Sequence, residues 1–321
     1  MRVGVVCGGP SREAEVSRAS GRQVAKALCE TFPSVETFEL TSEVGQQLRT
    51  WCADVVFPVL HGPPGEDGTF QGYLDLLGIP YVGSGVRASA CAMDKTVAKL
   101  IFRAAGLSVA DGQTVRRHEE LQPVLARILD ALGEDVVIKP PAEGSAIGVD
   151  FAQGVEQIRQ ALSAALKDHE TLLVERRVAG KEITVGILER GEALEAFPVI
   201  EVVTPPGTWY DYEHRYTPGL SEHLAPAPIR DDLASRLQMM TRKAHEALGC
   251  RDLSRADFVV PDEGEPVLLE VNTLPGMTAT SLYPDGAAAA GIAFPDLVSQ
   301  LAQRALSRRG PCRGGEARMG R

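Results

Sequence analysis

Short apolar runs alternate along the chain with longer stretches of helical period, which is the pattern of an α/β protein. Val3-Gly4-Val5-Val6-Cys7 reads as a buried strand that breaks at Gly8-Gly9-Pro10-Ser11 and leads into a helix over 13–28. A second apolar strand over 54–60 ends at His61-Gly62-Pro63-Pro64-Gly65-Glu66-Asp67-Gly68, and a helix follows over 69–77. A short third strand is expected at 79–82, a boundary at Gly83-Ser84-Gly85, and one helix over 88–105. Further strands are expected at 136–139, 171–175 and 182–188, then a polar loop rich in Pro, Tyr and His over 204–228. A helix over 292–306 closes the pattern, and the Gly/Arg tail 307–321 is expected to be disordered. No internal repeat is visible. Loops after strand carboxyl ends are where open α/β sheets bind ligands.

One hairpin breaks the hydrophobic rule. Leu253 to Val260, a polar turn, and Val267 to Asn272 alternate correctly for two strands, yet carry Arg255, Asp257, Glu270 and Asn272 among the apolar residues. If Val260 pairs with Val267, Asp257 falls opposite Glu270 and Arg255 opposite Asn272, all four on one face. Opposed carboxylates repel, so a cation is expected between them. Mg²⁺ suits a shallow Asp/Glu/Asn face, because it takes oxygen ligands from one or two carboxylates and completes its octahedron with water and phosphate. Arg255 would then meet phosphate oxygens. The alternative is a polar face that is simply solvated.

Length and charge narrow the class. The 321 residues allow two or three domains. A net charge of −10 argues against a nucleic-acid surface, which needs basic stripes. Six cysteines stand without CxxC pairing or metal spacing, as expected in a reducing compartment, with the cytoplasm as default. The N-terminal apolar run is too short for a signal-peptide core, and no segment approaches eighteen consecutive apolar residues, so neither export nor a membrane span is expected.

Other candidates are weaker one by one. Glu143-Gly144-Ser145-Ala146-Ile147-Gly148 follows a strand ending in Lys139, so backbone amides and a cation could surround phosphates. It lacks the GK[ST] ending of a P-loop, and no GxGxxG follows the first strand, which also counts against a dinucleotide oxidoreductase. Lys95 is a second candidate phosphate cation or a solvated helical lysine. Glu175, before Arg176 and Arg177, could hold a nucleoside at a hinge or cap an edge strand. His61 is a lone strand-end histidine. Glu15 lies beyond the first glycine turn, where it could meet a substrate amine or only complement a helix dipole. Past Asn272, the Gly276 amide could be an oxyanion donor and the amides around Ser281 could hold a carboxylate; the plain reading is a Pro-Gly turn.

Their order carries more than any one of them. GGPSREAEVS at 8–17, LHGPPGEDGTFQG at 60–72, GSGVRASACAMDK at 83–95, IKPPAEGSAIGV at 138–149, YDYEHRY at 210–216, and RADF with LEVNTLPGMTATSL up to 282 follow one another. From about residue 3 to residue 305 the chain resembles the D-alanine:D-alanine ligases of the ATP-grasp superfamily. The resemblance implies a three-domain ATP-grasp architecture of α/β class, with α+β character in its ATP-binding part: an N-terminal open α/β domain at 1–86, a central subdomain at 87–180 and a C-terminal subdomain with the metal site at 181–306. It implies ATP between the last two, with Lys95 and Lys139 on phosphates, Glu175 and Arg176 at the adenine and Glu182 at the ribose. Asp257, Glu270 and Asn272 would hold two Mg²⁺, for which Mn²⁺ can substitute. Arg255 and the Gly276 amide would form the oxyanion site. Glu15, linked through Ser145 to Tyr216, would hold the first D-alanine's ammonium, with His61 near it; Ser281 and the Leu282 amide would hold the second substrate's carboxylate, and Arg215 would be a further substrate-binding residue.

The resemblance also implies a homodimer in the cytoplasm that makes D-alanyl-D-alanine, through an acyl phosphate, for peptidoglycan. Arg215 stands where lysine is common, Ala146 where serine is, and Arg176-Arg177 where lysine and an aromatic are. Tyr216 favours an amine as second substrate, while His214 and His223 keep D-lactate or D-serine open. A non-catalytic nucleotide-binding module would be expected to lack the metal ligands or Arg255, which are present.

Overall fold

The computed structural model describes residues 1–308 except 218 and 279; the expected disordered tail therefore lies almost wholly outside the described residues. Three sheets follow in chain order. β1 (Arg2–Cys7), α1 (Ala14–Leu28), β2 (Ser34–Glu39), α2 (Val44–Trp51), β3 (Val55–Pro58) and α3 (Thr69–Leu77) build a parallel sheet in the order β2-β1-β3. Val3, Val5 and Val6 are fully buried, as expected of a central parallel strand covered on both faces. The expected strand at 79–82 is reduced to one bridge between Tyr81 and Val56.

The helix expected over 88–105 is two helices, α4 (Val86–Met93) and α5 (Lys95–Ala104). Asp94 separates them in an extended conformation, and its carboxylate accepts from the amides of Thr96 and Val97 as an N-cap. Both helices pack on the core of the third sheet, through Ala88, Ala92, Ala98 and Phe102 against Phe258, Leu268 and Val271. The second sheet begins only at β4 (Gly112–Arg116), followed by α6 (Leu121–Leu132), β5 (Asp135–Lys139), β6 (Asp150–Gln153), α7 (Val155–Asp168) and β7 (Thr171–Arg176), antiparallel in the order β4-β7-β5-β6.

The third sheet contains β8 (Lys181–Arg190), β9 (Ala193–Ala196), β10 (Ile200–Val203), β11 (Glu222–Leu224), β12 (Leu253–Val260) and β13 (Val267–Asn272), ordered β11-β10-β8-β12-β13 with β9 on β8. The stretch expected as loop over 204–228 contains the short helix α8 (Tyr212–Tyr216), capped by Asp211, and β11 paired to β10. α9 (Asp231–Leu248) covers this sheet through Leu237, Met240 and Ala244. The last helices, α10 (Leu282–Ala289) and α11 (Phe294–Ser307), return to the first sheet: Leu297, Leu301 and Ala305 share one core with Val3, Val24 and Phe57. Fully buried Asp252 fastens this return, accepting from the Gly83 amide at 2.7 Å and from Arg304 of α11 at 3.2 Å.

Candidate active site

On the hairpin, the observed pairs are Arg255 with Asn272, Ala256 with Val271 and Asp257 with Glu270. The anchor expected for that register fails, because a bulge shifts the ladder and pairs Val267 with Val259 instead of Val260. Leu269 is the extra residue, so the polar face keeps its pairing while the turn end slips by one. Two side-chain cations stand against these acids. Arg255 grips Asp257 with both ends of its guanidinium, at 2.8 and 2.7 Å, and Lys95 of α5 reaches Glu270 at 3.0 Å. Thr184 Oγ1 and Asn272 Nδ2 complete the ring of donors to Asp257, at 2.6 and 3.1 Å. Burial alone would raise the Glu270 carboxyl, but Lys95, then Arg215, draw it down to about 2. Two carboxylates and an amide oxygen form a donor set that fits a hard divalent cation; no group of three or more His, Cys, Asp or Glu side chains able to hold a metal ion occurs among the described residues.

A cleft of about 450 Å³ lies between the second and third sheets, lined by Lys95, Lys139, Glu175, Arg176, Glu182 and Glu270 among others. Glu175 is nearly inaccessible and bridges Lys139 and Lys99, each at 2.5 Å. Burial raises its carboxyl, and Lys139 and Lys99 more than offset that. Lys99 was not among the sequence candidates. Burial raises Glu182, with Arg215 opposing. Arg177 stacks over Phe151 at 4.9 Å, which gives the departing Arg-Arg pair an aromatic partner at the cleft wall.

The second cavity is assembled from loops. It is lined by Glu13, His61, Glu66, Ser145, Tyr216, Arg255, Asn272, Gly276, Ser281 and Leu282. Tyr216 OH is 2.6 Å from Ser145 Oγ and donates to Glu13 Oε1 at 3.0 Å, and Ser145 Oγ also donates to that oxygen. The trio expected around Glu15 therefore forms around Glu13. Residues two apart on a helix point about 200° apart, so Glu15 faces outward, 84% exposed and paired with Arg18. Glu13 is the N-cap residue of α1 but makes no side-chain cap, because its carboxylate is committed to the loop. Ser145 and Ala146 both have positive φ, 47° and 59°, a backbone that costs roughly 1–3 kcal/mol per residue and that these contacts help hold.

Burial lowers the His61 imidazole, with Glu13 opposing; its Nε2 lacks a hydrogen-bond partner. Burial also pushes the Glu66 carboxyl up to about 8, despite a 2.6 Å bond from the Gly62 amide. Glu66 is a site residue that sequence reasoning passed over within its GEDG segment. Tyr216 is raised by burial and by Glu13. Ser281 precedes α10 and accepts from the Thr278 amide at 2.9 Å; a side chain on Gly276 would meet Ser281 Oγ at 2.8 Å and displace that hydroxyl. Arg215 lines both cavities, its guanidinium 4.7 Å above the Tyr210 ring. His214 and His223 are turned onto acids, Asp211 at 2.6 Å and Asp285 at 2.7 Å.

A cleft between two antiparallel sheets, with lysines from both sides and an acid hairpin at its end, defines an ATP-grasp enzyme. The family model described as the D-ala D-ala ligase C-terminus matches residues 101–303, and the D-ala D-ala ligase N-terminus model matches 34–84. The D-alanine–D-alanine ligase of Geobacter sulfurreducens is 46% identical over 94% of this chain and 92% of that protein. That of Moorella thermoacetica is 42% identical over 95% and 99%. Among solved structures, a Bacillus anthracis D-alanine–D-alanine ligase complexed with ATP superposes with a TM-score of 0.83 at 30% identity, covering 96% of this chain and 98% of that one. A D-alanyl-alanine synthetase A from Vibrio cholerae gives 0.83 at 27%, with the same coverage. The chain belongs to the D-alanine–D-alanine ligase family.

Proposed function

We propose that the protein is an ATP-dependent, ADP-forming ligase that joins two D-alanine molecules into the dipeptide used for peptidoglycan. The observation that carries this reading is the junction of the two cavities: Arg215 lines both, so a nucleotide phosphate in one lies next to an amino acid in the other. Lys95 and Lys139 hold the phosphates, Glu175 and Arg176 the adenine and Glu182 the ribose. Asp257, Glu270 and Asn272 would hold two Mg²⁺, or Mn²⁺, whose chemistry is to neutralise charge on the phosphates. The γ-phosphoryl group passes to the first D-alanine carboxylate, giving an acyl phosphate and ADP. The second D-alanine's amine attacks the acyl carbon, and inorganic phosphate leaves. Glu13 binds the first ammonium, with His61 beside it, while Ser145 and Tyr216 hold the loop over it.

Arg255 and the Gly276 amide stabilise the tetrahedral oxyanion. Ser281, the Leu282 amide and Arg215 take the second carboxylate. Water must be kept from the acyl phosphate, which suits a site closed by the 143–148 loop and α8. We place the enzyme in the cytoplasm as a homodimer; five cysteines among the described residues are free thiols, and no helix of the described residues is long and apolar enough to cross a membrane. The test is phosphate release from ATP and Mg²⁺ with D-alanine alone, and with D-serine or D-lactate added. D-alanine alone should support full turnover. A requirement for D-lactate or D-serine would reassign the second substrate, and no release with any of the three would overturn the ligase reading.

A further inference from the structure

The reaction above uses Lys95, Lys139 and Glu175 but leaves Lys99 unexplained. α5 carries Lys95 and Lys99 four residues apart, hence on one face. Lys95 reaches Glu270 on β13, while Lys99 reaches Glu175 on β7, so one helix is tied to both sheets that bound the cleft. The Lys99 and Glu175 side chains are each 3% exposed, and the second oxygen of Glu175 meets Lys139. Lys99 Nζ and Glu175 Oε1 are both sealed from solvent, so at 2.5 Å this oxygen is taken up by Lys99 while the other meets Lys139. Two lysines against one glutamate leave the cluster with one net positive charge. Without Lys99, Glu175 would pair with Lys139 alone and neutralise it.

We propose that Lys99 is a positioning residue for nucleotide phosphate: by taking one oxygen of Glu175, it keeps that carboxylate shared between two cations and leaves the charge of Lys139 available to phosphate. The inference rests on the assignment of Lys139 to phosphate given above. Lys99 is absent from the cleft lining, so it acts through Glu175 and touches no ligand. Burial pulls its ammonium down to about 8, with Glu175 holding it up and Lys139 pushing it further down. This is the condition of a cation confined beside another cation.

A purely structural ion pair makes a different forecast. Replacing a buried pair by apolar side chains is often neutral or stabilising, so a structural Lys99 would be exchangeable for methionine without loss of nucleotide affinity. The test compares ADP with adenosine binding by calorimetry on the full chain, in the parent, Lys99→Met, Lys99→Gln and Lys99→Arg. ADP affinity should fall about tenfold in the Met and Gln variants, and recover most of that loss in the Arg variant, while adenosine affinity changes by less than about twofold. The ATP KM should rise in parallel with the D-alanine KM unchanged. In a Glu175→Gln background, Lys99→Met should have little further effect on ADP.

Parental ADP affinity in Lys99→Gln or Lys99→Met, equal losses for ADP and adenosine, or an undiminished Lys99→Met effect in the Glu175→Gln background would each overturn the proposal. If Lys99→Met does not fold, the Gln and Arg variants still decide. A parent chain that binds ADP but releases no phosphate with D-alanine would sink the ligase reading and leave this comparison standing.

Discussion

In the nucleotide cleft, Glu270 and Glu175 stand against lysines, and both carboxyls are drawn down in spite of burial. In the amino-acid cavity, Glu66 meets no ion-pair partner among the described residues and burial carries it up to about 8, while burial moves His61 the other way. Scaffolding differs in the same sense. The cleft draws its groups from strands β5, β7, β8 and β13 and from α5, whereas the second cavity joins Glu13, Ser145 and Tyr216 from three distant loops or helix ends. A prepaid array of ionised groups suits a polyanion and its metals, which exchange one set of charges for another. A pocket closed by hydroxyl hydrogen bonds to the Glu13 carboxylate, with Arg255 and Arg215 in its lining, suits a small zwitterion whose ammonium and carboxylate meet charges of opposite sign.

The largest expected effect falls on the strand-built region. Glu270→Gln removes one carboxylate of the proposed metal site and leaves Lys95 without its partner. D-alanine-dependent phosphate release should drop by roughly a thousandfold or more, about 4 kcal/mol of transition-state stabilisation. Circular dichroism and melting would confirm that the variant is folded. Turnover at the parental rate by a folded Glu270→Gln protein would break the comparison, since that cleft would then not depend on its acids.

A smaller effect separates two acids in the loop-built region. Glu13→Gln weakens the hold on an ammonium and on the Ser145–Tyr216 link, so kcat/KM for D-alanine should fall roughly a hundredfold, near 3 kcal/mol. Glu15→Gln should stay within about twofold, because an exposed pair with Arg18 is worth little. The reverse ranking would return the role to Glu15 and dismantle the trio.

These acids also show why one region was easier to read than the other. Period-2 alternation placed Arg255, Asp257, Glu270 and Asn272 on one face, and three pairs hold although the bulge at Leu269 invalidates the anchor used to align them. Near Glu13 and Glu15, two acids of the same motif differ only in helical phase, and the α1 start at Ala14 decides between them. The usable signal was a glutamate at an N-cap position, where glutamate is a poor cap and its carboxylate is free for other work. Lys99 and Glu66 were passed over because a buried charge and a solvated one are written with the same letter. The division at Asp94 was legible as an N-cap before a new amphipathic run, whereas the return of α11 to the first sheet rests on contacts such as that of Ser299 with Thr31, 268 residues apart in the chain, and no local pattern encodes them.

The smallest effect tests the unpaired acid through stability. Glu66 has an ordinary carboxyl value of 4.5 when unfolded and about 8 when folded, so between those limits the folded protein keeps a proton that the unfolded chain has lost. The proton-binding difference makes parental stability fall as pH rises across that window; the contribution is whole below 4.5 and gone above 8. Glu66→Gln cannot ionise, keeps an oxygen to accept from the Gly62 amide, and so escapes the loss. The unfolding free energy of Glu66→Gln relative to the parent, measured by denaturant titration, should therefore climb steadily from pH 5 toward pH 8.5, reaching a gain of roughly 1 to 3 kcal/mol, less than the full linkage value because water relaxes around a newly charged group. Saturating the pocket with D-alanine should shrink that gain, since a bound ammonium would stabilise the ionised carboxylate. A difference that stays flat with pH would mean Glu66 is ionised throughout, and the electrostatic contrast between the two cavities would reduce to one of scaffolding alone.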